Sequence, residues 1–190
     1  MARYGKEHKE ATRQRIVESA SRRFKQSGVD GSGVATLMAD AGLTNGAFYA
    51  HFESKDDLVA TVVAEQLRAQ AETIAALPAG KAGLEHFIRD YLSAEHRDNP
   101  AVGCPSAALL DEIVRCTDVT RQGYADGAGV IIHEIAARLS PRNPTAARGR
   151  AIGLFTLLVG SLQLARALTD QDLSLEVLER GVDNAAAFLR

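Results

Sequence analysis

The chain has 190 residues, of which 46% are hydrophobic and only five are proline, enough apolar material for a substantial core. Its net charge is −2, yet residues 1–25 carry eight Lys and Arg against three Glu, so that stretch is +5 and the remainder −7. A basic amino end on an acidic body excludes a uniformly cationic nucleic-acid coat and points to one localised anionic partner. The charged amino end has no apolar core, so no signal peptide is expected, and two cysteines without an export signal fit a reducing cytoplasm.

Apolar residues recur at helical spacing almost throughout, and no alternating strand stands out. An all-α fold of about nine helices is expected. The first helix should run from Lys9 to Gln26 with Ile16, Val17, Ala20 and Phe24 inward. The tail before it, Met1 to Lys9, is placed to lie along phosphates or in a minor groove. Val34 to Asp40 carries Val34, Leu37, Met38 and Ala41 on one face, and Ala41-Gly42 stops it because Gly accepts a left-handed turn. Leu43 plugs that turn. Thr44 is expected to cap a new short helix, Asn45 to Ala50, whose small Gly46 and Ala47 allow close approach to another surface. Phe48 folds back to the core. Ser54 opens the next helix, with Asp57 as its capping-box partner.

Two helices joined by a short Gly-containing turn make a helix-turn-helix, whose second helix enters the major groove of DNA. Thr44, Tyr49, His51 and Lys55 surround the short helix within reach of phosphates, where most protein–DNA hydrogen bonds go. Asn45 suits bidentate contact with adenine, with Thr36 and Thr44 as further base-contact candidates.

The run Thr44 to Lys55, TNGAFYAHFESK, resembles the TetR/AcrR pattern of a small residue, Gly, aromatic-Tyr, x, x-Phe, x-Ser-Lys. Ile16, Ala20, Phe24 and Gly28 match the first helix of that family. The resemblance covers residues 10 to 60 closely and the rest diffusely. It implies an amino-terminal three-helix DNA-binding domain, residues 1–55, and a helical ligand-binding and dimerisation domain, residues 56–190. It also implies a homodimeric repressor that leaves its double-stranded operator when a small-molecule inducer binds. The chain departs from the family at Gly33, where Thr is usual, and Ser32 beside it is the substitute phosphate contact.

The body helices are expected over Ser54–Leu77, Ala82–Ala94, Pro105–Cys116, Val119–Leu139, Thr145–Leu168 and Leu173–Leu189. The Ser54 helix starts in the DNA-binding domain and continues into the body, so it is the natural lever between them. The run Ala151 to Leu168 is apolar nearly all round and is read as a helix buried between subunits rather than a membrane span. Phe155, Leu158, Leu162 and Ala165 on it, with Val177, Val182 and Ala186 on the last helix, are the expected interface of a two-fold four-helix bundle.

A ligand pocket is expected among the body helices, lined by Phe87, Tyr91, Leu110, Ile113, Val114, Tyr124 and Ile132. Cys104 precedes Pro105 at a helix start, which would favour its thiolate and a redox- or electrophile-sensing role. His86 and Asp90, four apart, lack a full ligand set, and no metal or cofactor is expected. Glu112 and Glu134 read as solvated. With no catalytic constellation, an enzyme is not expected. The competing readings are a small all-α carrier or enzyme with an incidental helix-turn-helix, and a thiol-based sensing regulator.

Overall fold

The computed structural model describes the backbone of residues 2–190 and the side chains of residues 7–190. Among the described residues there are nine α-helices, three 3-10 turns and no strand. The first helix, α1 (Ala2–Ser27), begins seven residues before the expected start, so Lys9 is inside it. The tail expected to reach DNA is therefore helical from Ala2, and Met1 with the side chains of residues 2–6 lies outside the described residues.

Helix α2 (Val34–Asp40) buries Leu37 and Met38. Gly42 follows at φ +67°, which lets the Leu43 amide return to the Met38 carbonyl at 2.8 Å. The next segment, Asn45–Ala50, is a 3-10 turn rather than an α-helix. Helix α3 (Lys55–Ala75) is capped as expected. The Ser54 hydroxyl accepts from the Asp57 amide at 3.1 Å, and the Asp57 carboxylate accepts from the Glu53 amide at 3.1 Å.

The body continues with α4 (Lys81–Tyr91), α5 (Ala94–Asp98), α6 (Pro105–Ile113), α7 (Asp118–Leu139), α8 (Pro144–Ala167) and α9 (Gln171–Ala185). The expected helix to Ala94 is broken in two, because Ser93 caps a new turn by accepting from the His96 amide at 3.1 Å. Helix α6 stops at Ile113, short of Cys116. Helix α3 packs along α7, α7 along α8, and α8 along α9. Among the described residues no helix is long and apolar enough to cross a membrane.

One apolar core runs the length of the molecule, from Ile16 and Phe24 through Leu58 and Leu67 to Leu154 and Leu162. Two polar contacts tie the end of α1 to the segment ahead of and within α6. The Lys25 ammonium donates to the Gly103 carbonyl at 3.1 Å and to Gln66 Oε1 at 2.9 Å. Glu112, expected to be solvated, instead accepts from the Val29 amide at 2.6 Å, across the turn that links α1 to α2. Gly28 opens that turn at φ +76°, and a Cβ there would stand 2.8 Å from the Glu112 carboxylate. Replacing Glu112 by Ala leaves the Val29 amide without its charged acceptor. The expected loss is about 1–3 kcal/mol, read by urea unfolding of helical circular dichroism.

Candidate functional site

The short turn Asn45–Ala50 is anchored from one side and open on the other. Phe48 is fully buried, packed edge-on to Tyr49 at 5.2 Å and stacked on Phe52 at 5.7 Å. Tyr49 next to it is 72% exposed, and Thr44, Asn45 and Gly46 are exposed with it. Thr44 sits at the cap position in extended backbone, but its hydroxyl makes no capping bond. The expected cap is thus absent, which leaves the hydroxyl available to an outside acceptor. Gly33 and Thr36 lie exposed at the start of α2, Ala47 is half-buried against the core, and Lys55 is half-buried in the first turn of α3.

Two residues differ from expectation. Ser32 is fully buried and its hydroxyl donates to the Gly28 carbonyl at 2.7 Å, so it shapes the α1–α2 turn and cannot reach a phosphate. His51 is half-buried, with Nδ1 enclosed and unpartnered. Burial, with Lys9 and Arg13 nearby, holds its pKa below the ordinary imidazole value, so it is kept from carrying positive charge.

Arg13, which the sequence did not single out, holds the exit of this turn. Its guanidinium lies 4.2 Å over the Phe52 ring and donates to the His51 carbonyl at 2.7 Å and to Thr61 Oγ1 at 3.2 Å. Its partners lie 38 and 48 residues away, so no local pattern announces it. Arg23 clamps α1 to α2 through a two-pronged pair with Asp40 at 2.7 and 2.9 Å. The result is a rigid three-element unit presenting one polar, mostly uncharged strip.

Residues 16–62, which enclose this unit, match the family model of bacterial regulatory proteins, tetR family. Over that segment the chain is TetR-like. Over 62 residues, 33% of the chain, it is 40% identical to the HTH-type transcriptional regulator AcrR of Shigella flexneri. Over 85 residues, 45% of the chain, it is 33% identical to the HTH-type transcriptional repressor AcnR of Corynebacterium diphtheriae. These matches span only 29% and 42% of those regulators. The whole fold resembles the reduced form of Escherichia coli NemR, with a TM-score of 0.79 and 18% identity over 93% of this chain and 96% of that one. A TetR-family regulator from Cytophaga hutchinsonii gives 0.76 at 21% identity, over 95% and 96%.

Among the body helices, the expected pocket is only partly where the sequence put it. A cleft of about 400 Å³ opens between α3, α4 and the loop before α6, walled by Gln66, Gln70, Phe87, Tyr91, Val102 and Cys104. Of the residues expected to line a pocket, Phe87 and Tyr91 do. Leu110, Ile113, Tyr124 and Ile132 are taken up by core packing, and Tyr124 gives its hydroxyl proton to Ser106 at 3.0 Å. Val114 is 67% exposed, beyond the end of α6.

Cys104 is at the cap position of α6 without a side-chain capping bond, and its thiol donates to Gln70 Oε1 at 3.3 Å. Its amide donates to His96 Nε2 at 3.1 Å, which puts the imidazole proton on Nδ1, 2.7 Å from the Tyr91 carbonyl. Behind the cleft wall, Lys25 is buried and its pKa is lowered to about 8, chiefly by that burial. Arg166 reaches the same region, its guanidinium donating to the carbonyls of His96, Arg97 and Ala107. None of Lys25, Gln66, Gln70 or Arg166 stood out in the sequence. His86 and Asp90 form an exposed pair at 3.1 Å, and among the described residues no three metal-ligating side chains converge.

The residues expected at a dimer interface are partly redirected. Phe155, Leu158, Leu162 and Ala165 are buried inside this chain's own core. The open face of α8 is the other side, with Ile152, Thr156, Gly160 and Leu164 exposed and Leu157 half-buried, continuing onto Val177 and Phe188. Val182 turns toward α4 beside Arg89 and Leu92, and Ala186 is exposed. The error has a simple source: a helix apolar nearly all round does not say which side its own chain covers.

Proposed function

We propose that this chain is a ligand-responsive transcriptional repressor that binds a pseudo-palindromic operator as a cytoplasmic homodimer. Residues 1–55 form the DNA-binding unit and residues 56–190 the ligand-binding and dimerisation unit. The observation that carries the reading is the strip from Thr44 to Tyr49, exposed to solvent while Phe48 anchors it from behind. Thr44, Tyr49 and Lys55 take phosphates, Asn45 and Thr36 take base edges, and Gly33, Gly46 and Ala47 let backbone approach the groove wall. Two such strips would stand about 34 Å apart on one face of the duplex.

Dimerisation through the open face of α8 is supported by exposed Ile152 and Leu164 beside Gly160, where backbones can close together. Induction requires a ligand that binds the DNA-incompetent arrangement more tightly. Two routes connect the cleft to the DNA-binding unit: α3 itself, and the 103–112 segment through Lys25 and Glu112. Thiol sensing through Cys104 is the second reading, favoured by its place on the cleft wall beside Lys25. Alkylation of Cys104 that left DNA affinity unchanged would remove it.

Fluorescence anisotropy on DNA flanking the protein's own gene, against scrambled DNA, is the direct test. Binding should prefer the native sequence and fall steeply with salt, and Lys55→Ala should weaken it on every sequence while lowering the salt slope by about one. Equal weak binding to both DNAs would favour a carrier with an incidental helix-turn-helix. Leu164→Glu should give a folded monomer by light scattering, whereas Leu162→Glu should unfold the chain because that position is core.

A further inference from the structure

The wall of the α3–α4 cleft is unusual in what it offers. The Tyr91 side chain lines it at 5% exposure, and its hydroxyl makes no hydrogen bond of ordinary geometry, its polar neighbour being the Cys104 thiol. Gln66 and Gln70 also line it, and each has its carbonyl oxygen already engaged, by Lys25 and by the Cys104 thiol. Among the described residues their NH2 groups have no protein acceptor, so the wall carries donors left for solvent or a ligand. The Cys104 thiol is the ionisable group set among them. Lys25 lies directly behind the Gln66 and Gly103 wall and Arg166 behind His96 and Gly103, and neither has a carboxylate partner among the described residues. Buried cations are normally paired, so an unpaired set beside free donors marks a place for an anion.

We infer that this cleft binds a small organic anion, a monocarboxylate on an apolar body, whose oxygens accept from Tyr91 and the Gln66 and Gln70 amides. The inference rests on the reading of the cleft as the inducer site and gives that ligand its chemical class. The apolar body covers Phe87, Val102 and Pro105, which an inorganic anion would leave bare. The cleft's size, about 400 Å³, admits a ligand of one ring or a short chain. One carboxylate opposes the anion: Asp90, at the rim. Its side chain is 64% exposed and already paired with His86 at 3.1 Å, so water and that partner screen it, while the cations behind the wall act through protein. Charge on the ligand also competes for the Lys25 ammonium that now holds the Gly103 carbonyl, which is the contact joining α1 to the approach of α6.

The test is calorimetric titration of the full-length protein, without DNA, using benzoate, phenylacetate and octanoate, each against its primary amide. At least one acid should bind 10-fold or more tightly than its amide. Tyr91→Phe should abolish that preference with little change in the melting temperature, because the hydroxyl it removes makes no hydrogen bond of ordinary geometry and only abuts the Cys104 thiol. Lys25→Met, as a second variant, should weaken the acid and leave the amide unchanged. Equal binding of acid and amide, no binding by any acid, or an unchanged preference in Tyr91→Phe overturns the inference. Because no DNA is present, a protein that takes the acid yet never prefers an operator refutes the regulator reading alone.

Discussion

The structure depends on α3 being shared. Its first turns bury Leu58, Val59, Val62 and Val63 and its later turns Leu67, Ala71 and Ile74, in one uninterrupted apolar core. Each of the Val, Leu and Ile side chains contributes about 1.5–3 kcal/mol on full burial, so the two ends of the helix cannot be uncoupled cheaply. The exposed Asn45–Ala50 turn is therefore not a free module on a tether. Its anchors, Phe48 and Phe52, belong to the same core that reaches α8, and a rigid shared helix makes small shifts in the body matter at the tip of the turn.

Polar contacts then decide how the end of α1 is held. Lys25 and Glu112 carry opposite charges and reach across the same junction from opposite sides, one from α1 to Gly103 and one from α6 to Val29. Both are charge-assisted bonds to backbone, which hold geometry more firmly than neutral ones. Burying Lys25 costs free energy, visible in its pKa of about 8, and among the described residues no carboxylate pairs with it. A junction that carries such a cost, next to a cleft with idle donors, is poised to change its preferred arrangement when charge arrives. The buried Tyr91 hydroxyl, set against the Cys104 thiol, lies in the same wall.

Much of the site was legible in the chain. The strip Thr44 to Lys55 could be found because its signals are local: a Gly turn at Gly42, an anchoring Phe48, and a Ser54–Asp57 cap whose bonds span three residues. Ser32 failed for a local reason too, since Ser and Gly side by side cannot tell which one faces inward, and its hydroxyl turned back to Gly28. The pocket was less legible. Leu110, Ile113 and Ile132 have the right character for a cavity wall, but the same character fills a core, and packing chose the core. Arg13, Lys25 and Arg166 read as ordinary basic residues on helices, because their partners are carbonyls and rings far away in the chain.

Sequence by itself determined the helical class, the turn that presents Tyr49 and buries Phe48, and the TetR likeness of residues 16–62, because periodicity, caps and glycine conformations are set within a few residues. Tertiary structure alone decided which side of α8 stays open, which polar groups line the cleft, and how α1 is tied to α6. Those depend on neighbours tens of residues away, and an apolar or charged side chain carries no record of which neighbour will cover it.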